Sequence, residues 1–213
     1  SIAAGITARS LTLDGSIDDL VELSGLRATV TGQRIMAATV TLDQVDATFS
    51  GGVEAGEVTL SLVGKDTSDP NQAKPISVKA QAAFSTQGET TQITLASLSG
   101  GYGGIPVSLV KPGRILLDPA GLKEVGASLA LADGQADIAY TRSAADAATA
   151  TVQISKLPIS PFLALQGMSD VSGTLDATLK AEEVSGQVSG SGSIDLSDIK
   201  LADLEQAQGM ATQ

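Results

Sequence analysis

The side chains that could form a catalytic or metal centre are scarce in this sequence. The 213 residues include no Cys, no His and no Trp. Cys or His is required for Ser-His-Asp triads, Cys-His nucleophiles, thiol redox chemistry and the common zinc sites. A Ser-Lys dyad would have to use Lys156 or Lys180, and neither stands in a Ser-x-x-Lys motif. We therefore expect no enzymatic activity and no cofactor.

Two acidic pairs are the best candidates for a cation site. Asp18-Asp19 and Glu182-Glu183 could offer carboxylate oxygens to Ca²⁺. Neighbouring residues of a strand point to opposite faces, so neither pair converges on one ion. A carboxylate pair for glycoside hydrolysis would need a cleft with aromatic rings for sugars, and the chain has only two Tyr and three Phe. We interpret these carboxylates as solvated charges.

Phosphate and nucleic-acid binding are disfavoured by charge. The cluster 100–104, Gly-Gly-Tyr-Gly-Gly, is followed by the uncharged Ile105-Pro106-Val107, whereas a phosphate loop needs a Lys or a helix N-terminus there. A turn or bulge is the better interpretation. The net charge of -11 repels phosphate backbones, so we expect no nucleic-acid partner.

Alternation of apolar and polar residues with a period of two runs through most of the chain. One example is Ile76, Val78 and Ala80, which alternate with Ser77 and Lys79. This period is typical of strands with one apolar and one solvated face, so the sequence predicts an all-β fold. The apolar members of these runs are the candidate lining of one face: Val40, Leu42, Val58, Leu60, Leu62, Ile76, Val78, Ala80, Ala82, Phe84, Ile93, Leu95, Leu129, Leu131, Ile138, Val152, Ile154, Leu175, Leu179, Ile194 and Leu196.

Turn residues and one short helix separate the predicted strands. Asp14-Gly15 and Asp133-Gly134 are dipeptides that favour hairpin turns, and segment 64–75 is predicted to be an exposed loop. Segment 161–166 is predicted to be helical, with Ser160 as its N-cap. Segment 18–23 is either a second helix or a strand.

The apolar face can be accounted for in two ways. Two such faces could interdigitate in a closed sandwich with a filled core. Alternatively, one sheet could curve into a trough whose aliphatic lining stays free for a ligand. Aromatic residues make up only 2% of the chain, which is few for a sandwich of this length.

The second half of the chain has a distinctive order of segments: 93–101, 105–109, 111–115, 129–131, 133–138, 151–154, 157–160, 173–177 and 192–201. This order resembles the periplasmic repeats of the TamB family, the inner-membrane-anchored subunit of the translocation and assembly module. Segment 180–184 departs from the family pattern, as in a divergent member or a relative in the wider AsmA-like group.

The resemblance implies a β-taco, an elongated sheet of serially stacked antiparallel or mixed strands folded into a U-shaped trough with an apolar interior. It also implies a periplasmic segment that conducts phospholipid between the inner and outer membranes and supports outer-membrane protein assembly. Phospholipid acyl chains and an Omp85-type barrel would be the partners. A structural or adhesive β-solenoid or sandwich with a filled core is the alternative.

The organisation implied is one elongated β domain over 1–213, excised from a longer protein whose inner-membrane anchor lies elsewhere. A sub-unit boundary is expected near 157–170. No window of the sequence approaches the ~20 apolar residues of a membrane-spanning helix, so this segment itself is not expected to span a membrane.

Overall fold

A computed structural model describes residues 6–69 and 72–201. Twelve strands and one short helix account for most of these residues. In chain order they are β1 (Thr7–Ser16), β2 (Leu26–Ala37), β3 (Val40–Gly51), β4 (Ala55–Asp66), β5 (Lys74–Gln87), β6 (Thr90–Tyr102), β7 (Ile105–Asp118), β8 (Gly121–Leu131), β9 (Gly134–Ala144), β10 (Ala147–Pro158), α1 (Ser160–Ala164), β11 (Val171–Val184) and β12 (Gln187–Leu201).

All strands belong to a single sheet whose spatial order follows the chain, from β1 to β12. Every neighbouring pair is antiparallel, so the sheet is a pure meander and contains no parallel strands among the described residues. Tight turns join many of the strands, as at Gly103 and Gly104, which both have positive φ. Consecutive pairing by short turns is the simplest way for alternating strands to satisfy their backbone hydrogen bonds.

Bulges interrupt the strand ladders and curve the sheet. Register shifts fall between Leu42 and Gln44 of β3 and between Ile154 and Leu157 of β10. Lys156, inside the second shift, has φ 51, a left-handed conformation suited to a bulge. A bulge inserts an extra residue on one strand, which bends that strand and increases its local twist. The result is a curved all-β sheet that does not close into a barrel, as the sequence predicted.

No second layer covers the sheet within residues 6–69 and 72–201. The extensive contacts between strands all join strands that are adjacent in the sequence. Among the described residues, only Ile105, Leu157 and Ala177 are buried apolar side chains. A sandwich would bury a continuous inner face on each of two sheets. The filled-core architecture considered above is therefore wrong for the described part of the chain.

The helix α1 lies where the sequence placed a helix, between β10 and β11. Ile159, rather than Ser160, occupies the N-cap position, and no side chain caps this end. The reason is that the Ile159 backbone is already helical, with its carbonyl accepting from the N–H groups of Phe162 and Leu163. The sheet continues across this segment, since β10 pairs directly with β11.

Three local predictions are corrected by the strand ladders. Asp14 and Gly15 lie inside β1, where pairing with β2 overrides their turn preference. Segment 18–23 is neither helix nor strand but a turn, closed by the Asp19–Ser24 bridge and by the Asp19 carboxylate accepting from the backbone of Val21. The loop predicted over 64–75 is shorter because β4 continues to 66 and β5 begins at 74; residues 70 and 71 are outside the described residues.

Candidate functional site

The sheet collects the apolar residues of the alternating strands on one side, which we call the apolar face. Directly opposed residues of antiparallel strands share a face. Leu60 of β4 is opposite Ala47 of β3 and Ala80 of β5, and Val152 of β10 is opposite Ile138 and Leu179. The same register, followed from β3 to β12, places every lining residue named from the sequence on this face.

The apolar face is open to solvent. None of its sequence-predicted residues is buried, and most are half-buried. Val58, Ile138 and Leu179 are exposed, as are Ile194 and Leu196 near the β12 edge, where the exposed fraction of Ile194 reaches 67%. The half-buried residues are covered by neighbouring side chains of the same sheet. Over much of the face, no other described residue contacts the outer side.

Several residues of the apolar face were not in the predicted lining. The missed set includes Ile35, Val45, Ala47, Phe49, Leu98, Val107, Leu109, Ile115, Val125, Ala136, Tyr140, Ala150, Leu157 and Ala177. Period-two alternation was a sufficient signal for Val45, Ala47 and Phe49. In β7 the signal is weaker, because Lys111 and Gly113 occupy the alternate positions between Leu109 and Ile115.

Two aromatic rings stack over a glycine near one edge of the apolar face. Phe49 of β3 and Phe84 of β5 have ring centroids 6.1 Å apart and an interplanar angle of 15°. Gly56 of β4 lies between them, and a Cβ at this position would be 2.8 Å from ring atoms of both. The absence of a side chain at Gly56 is what allows the rings to meet across β4. Offset stacking of this kind stabilises beyond the area it buries.

Charged residues of the apolar face from β3 to β10 lie near the strand ends. Asp66 and Lys74 are at the edge formed by the end of β4 and the start of β5, and Arg142 is near the end of β9, at the opposite edge. Arg142 makes an ion pair with Asp118 and donates to the Ala120 carbonyl. Between these edges the face is aliphatic, with small gaps at glycines.

Asp66 is held ionised by hydrogen bonds. The backbone N–H of Ser68 and the hydroxyl of Tyr102, 2.8 Å from a carboxylate oxygen, together lower the pKa of Asp66 to about 2. The same bond to Asp66 raises the pKa of Tyr102. A carboxylate that receives several hydrogen bonds is stabilised in its charged form. This end of the face therefore carries a fixed negative charge.

The helix α1 lies along the edge that contains Asp66 and Lys74. The Lys74 ammonium donates to the Leu165 carbonyl at 3.1 Å. The Leu165 side chain packs against Gly103 in the turn between β6 and β7, where a Cβ would clash with it. Two of the buried apolar residues, Ile105 and Leu157, are at this same edge. The segment after β10 thus reaches back over strand ends that come much earlier in the chain.

The opposite side of the sheet, which we call the polar face, is lined by hydroxyl and amide groups. Among the described residues, Ser128 is the buried polar side chain of this face; its exposed fraction is 1%, and its Oγ accepts from the Gln135 amide at 3.1 Å. Hydrogen bonds from Ser128 and Gln135 lower the pKa of Asp137. Ser128 alternates with the apolar Ala127 and Leu129, a pattern typical of a solvated strand position. It is buried because Gln135, Asp137 and Lys111 on the neighbouring strands surround it.

Two further features bear on the kind of site. Within the described ranges, no three carboxylates, imidazoles or thiols lie close enough together to hold a metal ion. The described helix has five residues, and no helix in these ranges has the length and apolar content to cross a membrane.

Comparison with known proteins yields no relative. No family model, no curated protein and no solved structure matches this chain. The candidate site thus rests on the residues and geometry of the chain itself.

Proposed function

We propose that the apolar face binds the acyl chains of phospholipids and that the protein conducts lipid along its trough. The observation that carries this proposal is a mostly aliphatic face of half-buried and exposed side chains, whose charged residues from β3 to β10 lie near the strand ends. An acyl chain laid on such a surface gains about 0.8 kcal/mol for each methylene removed from water. No enzymatic step is part of this function.

The charge distribution supports binding by the tail rather than by the headgroup. The net charge of -11 disfavours binding of anionic headgroups, and one of these negative charges, Asp66, lies at an edge of the apolar face. Headgroups would therefore stay in solvent outside the trough while the tails lie on the apolar face. Lipid binding of this kind depends on the length of the acyl chain more than on the chemistry of the headgroup.

The biological setting follows from the family resemblance and is part of the proposal. The chain would be a periplasmic segment of a TamB-like protein of Gram-negative bacteria, anchored in the inner membrane by another part of that protein. It would bridge the two membranes and act with an Omp85-type outer-membrane barrel in assembling outer-membrane proteins. Of these properties, lipid binding can be tested on the purified chain alone.

The test uses the purified chain, native mass spectrometry and transfer of a fluorescent phospholipid between vesicles. Ala80→Asp introduces a charge at the centre of the apolar face, opposite Leu60 and Leu98. Gln81→Asp introduces the same charge on the adjacent, exposed residue of the polar face. We expect the wild type and Gln81→Asp to carry and transfer lipid, and Ala80→Asp to remain folded but do neither. If the wild type carries no lipid and does not accelerate transfer, the proposed function is rejected.

A further inference from the structure

A depression of about 390 Å³ lies on the polar face, across strands β7 to β10. Gly126 of β8 and Ala139 of β9 are directly opposed and form its floor. A Cβ built on Gly126 would have no described atom within 4 Å, so the space above this glycine is open. The depression is therefore on the side of the sheet opposite the apolar face, and it is separate from the proposed lipid surface.

Two rows of opposed residues supply the charges around this floor. The row through the floor begins at Arg114 on β7 and ends at Thr151 on β10. The next row begins at Lys111 on β7 and includes Asp137 on β9. All four of these side chains line the depression. It thus has two positive charges on one wall and a carboxylate on another.

A bulge in β7 brings the two cations to the same face. Residues three apart in a regular strand point to opposite faces. Register shifts on both sides of Lys111 break this alternation, so that Lys111 is opposite Ser128 and Arg114 is opposite Gly126, both on the polar face. Bulges commonly redirect a side chain beside a functional site.

The charged groups of the depression are available to a ligand. Among the described residues, neither Lys111 nor Arg114 donates a hydrogen bond, and the Glu124 carboxylate that pairs with Arg114 is 4.0 Å from its guanidinium. Asp137 accepts a hydrogen bond of 2.8 Å from the Gln135 amide. Hydrogen bonds and the nearby charge of Lys111 lower the pKa of Asp137, so this carboxylate is ionised at neutral pH.

We propose that this depression binds the zwitterionic group of a free amino acid, with its carboxylate between Arg114 and Lys111 and its ammonium beside Asp137. The guanidinium of an arginine matches the two oxygens of a carboxylate with two parallel hydrogen bonds. Asp137 repels a simple anion but attracts an ammonium group. The net charge of -11 likewise disfavours ligands with a net negative charge, whereas a zwitterion is neutral as a whole.

Titration of the isotope-labelled full chain with glycine, followed by NMR, tests the site. Glycine should shift the backbone amide signals of Gly126 and Ala139 until they saturate. We expect a millimolar dissociation constant, because exposed ion pairs each contribute little. Betaine, which lacks an N–H donor, and acetate, which lacks an ammonium, should bind several-fold more weakly. No saturable shift with glycine up to tens of millimolar, or equal affinity for glycine and either control, would overturn the proposal.

Charge-removing variants assign the two halves of the zwitterion. Arg114→Gln removes the main partner of the carboxylate and should weaken glycine binding several-fold. Lys79→Gln removes a cation from an exposed position of the polar face on β5 and should bind glycine as the wild type does. Asp137→Asn should bind glycine and betaine alike. Wild-type affinity for glycine in Arg114→Gln would overturn the proposal.

A space-filling variant tests the place of binding. Gly126→Val puts a side chain suited to strands into the open space on the floor. This variant should remain folded, keep its lipid transfer and lose glycine binding; wild-type glycine binding in the folded variant would contradict the location. Arg114 is exposed, so Arg114→Gln decides the proposal even where Gly126→Val does not fold.

Discussion

The ammonium of Lys74 and the backbone carbonyl of Leu165 are joined by a hydrogen bond of 3.1 Å, although the two residues are 91 positions apart. Lys74 opens β5, and Leu165 follows α1 between β10 and β11. In this meander, the extensive contacts run between strands that are neighbours in sequence. This bond instead ties the late part of the sheet to an early strand along one edge of the apolar face.

Replacing Lys74 with Met should release α1 from this edge. The variant keeps the aliphatic stem of the side chain but removes the charged donor, and a hydrogen bond from a charged group contributes about 1.5–3 kcal/mol. Amide hydrogen exchange should accelerate at Phe162, Leu163 and Met168, whose N–H groups bond within the helical segment. Lys79→Met, on an exposed position of the same strand, is the control. Unchanged exchange in Lys74→Met would show that Leu165 alone holds the helix.

Gly56→Ala should destabilise the sheet through the Phe49–Phe84 stack. The new methyl would be 2.8 Å from ring atoms of both residues, so the rings would have to separate. Overpacking of this kind costs about 1–3 kcal/mol. Gly126→Ala is a matched control, since nothing lies within 4 Å of its Cβ position. Chemical denaturation should show a lower midpoint for Gly56→Ala only; equal midpoints would mean that the rings adapt freely.

Ser128→Asp should unfold or strongly weaken the protein, although Ser128 is on the polar face. Its exposed fraction is 1%, and a carboxylate there would be buried beside Asp137. An uncompensated buried charge costs several kcal/mol. Gln81→Asp, on the same face but exposed, should change the free energy of unfolding by less than about 0.5 kcal/mol. Urea titrations compare the two variants, and similar midpoints would contradict the burial of Ser128.

The Asp66–Tyr102 bond should make a local contribution to stability at both extremes of pH. Because folding lowers the pKa of Asp66 from 3.8 to about 2, its contribution is complete above pH 3.8 and is lost as the pH falls through about 2. Folding raises the pKa of Tyr102 above 10.0, so the contribution of the tyrosine is complete below pH 10 and is lost as the pH rises further.

Tyr102→Phe tests this linkage directly. Loss of the hydroxyl donor should raise the pKa of Asp66 part of the way toward 3.8, with the Ser68 N–H still in place. Carboxyl chemical shifts of Asp66, followed by NMR from pH 1.5 to 6, measure the change. Tyr140→Phe controls for the loss of a phenol elsewhere. An Asp66 titration that is the same in wild type and Tyr102→Phe would remove Tyr102 as a cause of the low pKa.

Local alternation in the sequence determined the strands and their faces. A side chain's face depends only on its position within a strand, so Ile76, Val78 and Ala80 could be assigned to one side before any partner strand was known. The same locality explains why a helix could be predicted over 161–166 from that segment alone. The one-residue error at its N-terminus arose because the Ile159 backbone, which no side-chain pattern reports, is already helical.

Only the tertiary structure decided what the faces contact. Ser128 has the sequence surroundings of a solvated strand residue, yet Gln135 and Asp137 of the next strand bury it. Asp14-Gly15 favours a turn, yet pairing with β2 holds it extended. The choice between a filled core and an open face likewise depended on whether another layer covers the sheet. These outcomes depend on how neighbouring strands pair and on where bulges bend them, and such contacts between strands leave no periodic signal in the sequence.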